Sequence, residues 1–195
     1  MEAAAMFPLK PGGADAGRVA LLGPHHGLSI RDMTAMPRFG IKGPGAADWF
    51  AAWGIALPIV NRHASQGGLR ILRLGRNDIL CLAQDGSAAE LAGLQADWDR
   101  ATTPKGYSSW REEGWAWFHL EGPDISDVMA TLCALDLRAD RFAVDEIAQT
   151  RFAHVDAVLQ RAGDGFDVLF DITLTAYVIA AIHEAGETAH TGRQP

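Results

Sequence analysis

Cysteine is nearly missing from these 195 residues, with only Cys81 and Cys133 present. One falls inside a strand-like run and the other at the end of a helical run, so both read as small buried hydrophobes, as in a reducing compartment. Positive charge is also scarce: 17 basic residues stand against 24 acidic ones, for a net charge of −7. That balance gives no general attraction to phosphate backbones or anionic lipid, so neither nucleic acid nor membrane is an expected partner. No apolar run approaches the roughly 18 residues of a membrane span. Glu2 stands where a signal peptide would carry positive charge, and Pro8 and Pro11 interrupt the apolar text around them. The expected location is therefore cytoplasmic.

Catalytic signatures are missing too. There is no G-x-x-x-x-G-K-[ST], no H-E-x-x-H, no paired C-x-x-C and no G-x-S-x-G. Gly43-Pro44-Gly45-Ala46-Ala47-Asp48 begins like a dinucleotide turn. It then fails, because Asp48 sits where close helix packing needs a small residue and Pro44 removes an amide that phosphate would use.

What the chain does contain is a repeat. Residues 117–137, WFHLEGPDISDVMATLCALDL, restate residues 38–58, RFGIKGPGAADWFAAWGIALP, 79 positions later. Each reads as a short apolar strand, a Gly-Pro break and an amphipathic helix. Gly122-Pro123 falls on Gly43-Pro44. Ile125, Val128, Met129 and Leu132 fall on Ala46, Trp49, Phe50 and Trp53, at the i, i+3, i+4, i+7 spacing of one helix face. Asp124, with Asp127 three residues on, is placed to cap the second helix. A second pairing sets residues 73–82 on 161–170, each a hairpin. The fold class that follows is α+β: two pseudo-repeated two-layer α/β sandwich halves with mainly antiparallel sheets.

In chain order, residues 1–26 read as a flexible arm, 27–100 as the first α+β half, 101–114 as the connection, 115–187 as the second half and 188–195 as a tail. Residues 59–68 read as loop, and residues 85–87 offer Asp85 or Ser87 as a helix cap. Residues 151–160 read as one strand, with His154 and Asp156 sharing a face. Gly186 reads as the end of the last helix.

Few side chains invite chemistry. His25-His26 suggest a metal site or an ordinary surface pair. His63 is a loop imidazole, and Glu112-Glu113 reads as a solvated loop. His154 and Asp156 on one strand face would orient an imidazole for base chemistry, or lie on the wetter face of a sheet. No catalytic residue and no metal ligand is assigned.

The second copy, from Trp115 to Ile182, resembles the gamma subunit of heterotetrameric sarcosine oxidase. The resemblance is carried by Leu120-x-Gly122-Pro123, by Cys133-Ala134-Leu135-Asp136-Leu137, by Gln149-Thr150-Arg151-Phe152-Ala153-His154-Val155, and by the hairpin from Arg161 to Phe170. It implies an aminomethyltransferase-like fold and a subunit that supplies no cofactor or catalytic group of its own. It further implies alpha, beta and delta partner subunits in a flavoprotein complex of one-carbon metabolism, and FAD, FMN, NAD, tetrahydrofolate and zinc held by those partners. N-methylglutamate dehydrogenase has a similar four-subunit plan. The rival expectation is a stand-alone folate- or pterin-binding protein. Arg151, His154 and Asp156 would then meet the ligand, because a pterin edge asks for a carboxylate and its glutamate tail for cations. Pro104-Lys105-Gly106-Tyr107 lacks the cysteine of the iron-sulfur maintenance branch of the superfamily.

Overall fold

The computed structural model describes residues 16–25, 27–84, 88–101, 106–109 and 111–191. The elements run β1 (Ala20–His25), β2 (Leu28–Asp32), β3 (Arg38–Lys42), α1 (Ala46–Ala52), β4 (Arg62–Gln66), β5 (Leu69–Gly75), β6 (Asp78–Ala83) and α2 (Ala88–Arg100). After β7 (Tyr107–Ser108) and α3 (Arg111–Gly114) come β8 (Trp115–Glu121), α4 (Ile125–Leu132), β9 (Ile147–Phe152), β10 (Val155–Ala162) and β11 (Gly165–Asp171). A 3₁₀ turn at Ile172–Leu174 leads into α5 (Thr175–Thr191). Two compact units result, Met36–Glu113 and a second one made of the chain up to Ala35 and from Gly114 onward.

The repeat is a repeat of topology. In the unit Met36–Glu113 the sheet order is β4-β5-β6-β3-β7, and in the other it is β9-β10-β11-β8-β2-β1. The first four strands of each follow the same path, all neighbours antiparallel. Each half is thus strand, helix, three-stranded meander, helix, an α+β sandwich of the class the sequence implied.

Helix periodicity puts one face of each first helix against its sheet. Ala46 and Phe50 are buried in one core, and Ile125, Val128 and Met129 in the other. Phe118 and Phe170 meet edge to face across β8 and β11, ring centroids 5.1 Å apart. Each such buried ring contributes about 1.5–3 kcal/mol by leaving water. In the first unit Phe39, Trp49, Phe50 and Trp98 form a comparable cluster of aromatic edges. Gly54, at φ +73°, sends its N–H back to Ala51 O and ends α1. Cys81 and Cys133 are both buried, and burial pushes the Cys81 thiol up to about 12.

Several boundaries differ from those drawn on the sequence. The chain up to Ala35 is not wholly an arm, and 27–35 does not open the first half. Instead β1 and β2 extend the sheet of the later half, with Ile30 opposite Leu120 and Ser29 opposite Glu121. Leu28 and Ile30 are buried in that core, and Met33 N and Trp117 N bond to Trp117 O and Thr34 Oγ1, continuing the pairing past the strand end. Burial of two aliphatic side chains outweighs sequence proximity to the first copy.

The stretch 101–114 carries β7 and α3, and up to Glu113 it belongs to the first unit. Glu112 is buried there and accepts from Ser108 Oγ at 2.7 Å, so it is not a solvated loop residue. Residues 62–66 are the edge strand β4. Their text lacks apolar alternation because none of the five residues is buried, so neither face of this edge strand selects apolar side chains.

Gly186 lies buried inside α5 and does not end it. The helix continues to Thr191, where Thr188 and Thr191 hydroxyls return to the carbonyls of Glu184 and Glu187. Asp124 occupies the N-cap of α4 without a side-chain cap bond, and its backbone carbonyl receives Asp127 N and Val128 N. His26, Asp85, Ser87 and residues 192–195 lie outside the described residues.

Candidate functional site

The sequence candidates Arg151, His154 and Asp156 fall on a hairpin, not on one strand. Residues 151–160 are broken by a two-residue turn at Ala153-His154, both at positive φ (+49° and +66°), between the closing pair Phe152 and Val155. Consecutive positive φ values are those of a type I′ turn, which follows the twist of the strands it joins. Ala and His are unusual there, and Ala153 is held by its N–H on Leu132 O at 2.8 Å and by burial. His154 and Asp156 therefore share no strand face. Asp156 is instead the register partner of Arg151, with Arg151 Nε 3.4 Å from Asp156 Oδ1. Both side chains are open to water, so the pair adds little stability.

The turn forms one wall of a groove of about 700 Å³, closed by the end of α4 and by α5. Its lining includes Thr131, Cys133, Arg151, His154, Tyr177 and Glu184, while Asp156 is not among the lining residues. The groove offers a phenol, one carboxylate and two basic side chains over a floor of small residues. Among the described residues, no group of three or more His, Cys, Asp or Glu side chains is placed to hold a metal ion.

A second constellation was missed in the sequence because its members are far apart in it. Arg31, His119, Asp167 and Gln160 stand abreast on four adjacent strands, β2, β8, β11 and β10. His119 Nδ1 lies 2.8 Å from Asp167 Oδ1 and His119 Nε2 lies 3.3 Å from Glu121 Oε2. Arg31 donates to Glu121, and Gln160 Nε2 donates to Asp167 Oδ2 at 3.1 Å. Gln160 and Asp167 are buried, and the His119 side chain is 13% exposed.

The first half shows what the same positions hold otherwise. Counted from each hairpin turn, the third pair is Gln160 with Asp167 in β10–β11 and Leu72 with Leu80 in β5–β6, where Leu74 is an extra bulged residue. The next strand contributes His119 in one half and Gly40 in the other. An apolar row in one copy is a charged row in its relative.

Burial by itself pulls the His119 imidazole down. The hydrogen bond and charge of Asp167, with the bond to Glu121, outweigh it and the opposing Arg31 charge, and His119 ends above its ordinary value of 6.5. Glu121 is held below the ordinary carboxylate range, chiefly by the Arg31 bond, with burial opposing and His119 assisting. A protonated imidazole donates from both nitrogens and keeps no lone pair to accept a proton. As arranged, each ring nitrogen of His119 faces a carboxylate.

The sign of the pH response follows. The stabilisation from His119 is full below about pH 6.5 and is lost as pH rises through its higher native value. That from Glu121 is present above about pH 4.5 and is lost as pH falls through its lower native value. Urea midpoints across pH should fall on the alkaline side in the native chain, and His119→Gln should flatten that limb. A C2–H titration by NMR should place the native midpoint above 6.5.

No protein-family model matches the sequence, and no curated protein matches it. Among solved structures, the fold is similar to a chain of the heterotetrameric sarcosine oxidase from Corynebacterium sp. U-96, with a TM-score of 0.68 at 20% identity over 86% of this chain and 88% of that one. It is also similar to the glycine cleavage system aminomethyltransferase T from Bartonella henselae, with a TM-score of 0.58 at 17% identity over 82% of this chain. The match spans only 46% of that enzyme. The fold is aminomethyltransferase-like.

Proposed function

We propose that this chain is the non-catalytic gamma-type subunit of a multi-subunit flavin-dependent oxidase or dehydrogenase that demethylates sarcosine or a related N-methyl amino acid. In this reading it packs on the folate-binding part of an alpha subunit. FAD, FMN, NAD, tetrahydrofolate and zinc reside in the partner subunits. The observation that carries the reading is the lopsided coverage. The fold runs nearly end to end with a chain of a heterotetrameric sarcosine oxidase, yet spans under half of an aminomethyltransferase. The most polar buried set, around His119, supports it by engaging both ring nitrogens and both Asp167 oxygens within the set.

Co-expression with large flavin subunits of a sarcosine oxidase-like enzyme should give one complex on size exclusion, with flavin absorbance and this chain in fixed ratio. A chain that elutes alone in their presence counts against the proposal.

The groove beside Arg151 and His154 favours one second reading, a stand-alone folate- or pterin-binding protein. Calorimetry of the isolated chain with tetrahydrofolate separates the two. Heat that disappears in Arg151→Ala would support the second reading, and no heat supports the subunit.

A further inference from the structure

The stretch between α1 and β4 is apolar, exposed and held still. Ile59 is 72% exposed, Val60 43% and Trp53 44%, with Leu57 and Pro58 half-buried between them. A loop with so many apolar side chains in water would ordinarily collapse or move. This one is tied from beneath. Gln66 receives Ala56 N on its Oε1 at 2.9 Å and donates its Nε2 to Gly54 O at 2.8 Å. The Arg73 guanidinium bridges Pro58 O at 3.0 Å and Arg76 O at 3.1 Å, and Asn61 N donates to Arg73 O at 2.8 Å. Ordering has been completed before any partner arrives, which removes a main cost of association.

The same stretch is charged against the grain of the chain. From Trp49 to Asn77 there are four of the 17 basic residues, Arg62, Arg70, Arg73 and Arg76, and none of the 24 acidic ones. Arg62 N donates to Ile59 O at 3.1 Å, and the Arg73 bonds bring Arg73 and the backbone of Arg76 beside Pro58. Beside them β4 is the edge of its sheet, with no described strand on its outer side. An arginine on the edge strand, Arg62, is accounted for by protection against stray pairing, but that does not account for a pinned apolar loop next to it.

We propose that Leu57–Val60, rimmed by Arg62, Arg73 and Arg76, is a protein-docking surface whose occupant is a different polypeptide presenting apolar residues inside an acidic rim. A second copy of this chain is a poor occupant. A two-fold contact sets a patch against itself and would oppose arginine to arginine.

The test uses the full chain, carrying a photo-crosslinking amino acid at Ile59 or, as comparison, at the equally apolar and 75% exposed Val144, in cells that make the chain natively. Position 59 should join one other polypeptide, through a peptide whose apolar residues are flanked by Asp or Glu, and position 144 should not join it. Arg62→Glu with Arg76→Glu should cut that yield about tenfold. Both arginines can be changed with circular dichroism confirming the fold.

No adduct at 59, an adduct to this chain itself, a basic-flanked peptide, or a yield indifferent to the arginine changes overturns the inference. It does not depend on the flavoenzyme reading. A partner without flavin, joined at 59, leaves this surface standing and counts against that assembly, whereas a flavin complex joined only through Val144 does the reverse.

Discussion

Gly122→Ala is expected to lower the unfolding free energy by about 3–5 kcal/mol in urea titrations, an effect beyond that of an ordinary surface change. Gly122 sits at φ +142°, and a Cβ there would come within 2.1 Å of Gly27 O. The obstacle is backbone, so no side-chain rotamer relieves it. Relief requires the β2–β8 pairing to open next to the α4 entrance, where Leu28 and Ile30 reach the core. Gly93→Ala provides the contrast. It lies in α2 with open space around it, and the same added methyl should raise stability by about 0.5–1 kcal/mol. Equal effects at the two positions would show that the Gly-Pro element is not under the strain its geometry implies.

Asp167→Ala is the second large expectation, a loss of about 3–5 kcal/mol. It leaves the His119 ring Nδ1 and the Gln160 amide Nε2 in a buried row with no acceptor between them. Replacing the whole set tells a different story. Gln160→Leu, Asp167→Leu and His119→Leu together install the apolar character that Leu72 and Leu80 give the other half, and should land within about 1–2 kcal/mol of the native chain. Denaturant midpoints of the single and triple variants decide this. If the triple variant is as unstable as the single one, the row contributes net stability by itself. The expected recovery would show that its charge is retained for some purpose other than holding the fold.

The architecture was legible because it rests on local rules repeated twice. Gly43-Pro44 and Gly122-Pro123 each mark a strand end and a helix entrance, and the helix-spaced residues after them turn to their cores, except Trp53, which stays in water. The hairpin from Arg161 to Phe170 was legible for nearly the right reason. Asp164-Gly165 is a dipeptide that tolerates positive φ, whereas the turn takes it at Gly163 (+58°). Gly165 is needed instead because a Cβ there would meet Leu120 O at 2.1 Å. The hairpin at Ala153-His154 was illegible, since neither residue advertises a turn and only the pairing of Phe152 with Val155 creates one. For the same reason His154 and Asp156 looked like partners and are not.

The sequence by itself determined the doubled plan, the buried thiols, the scarcity of catalytic motifs and a basic stretch inside an acidic chain, because composition and short-range periodicity act within a few residues. Only the tertiary structure decided that β1 and β2 serve the later half, that His119 finds Asp167 forty-eight positions away, and that Arg73 and Gln66 hold an apolar loop in water. Those facts depend on which strands become neighbours, and strand pairing is settled by burial over long loops rather than by any signal in the residues that end up touching.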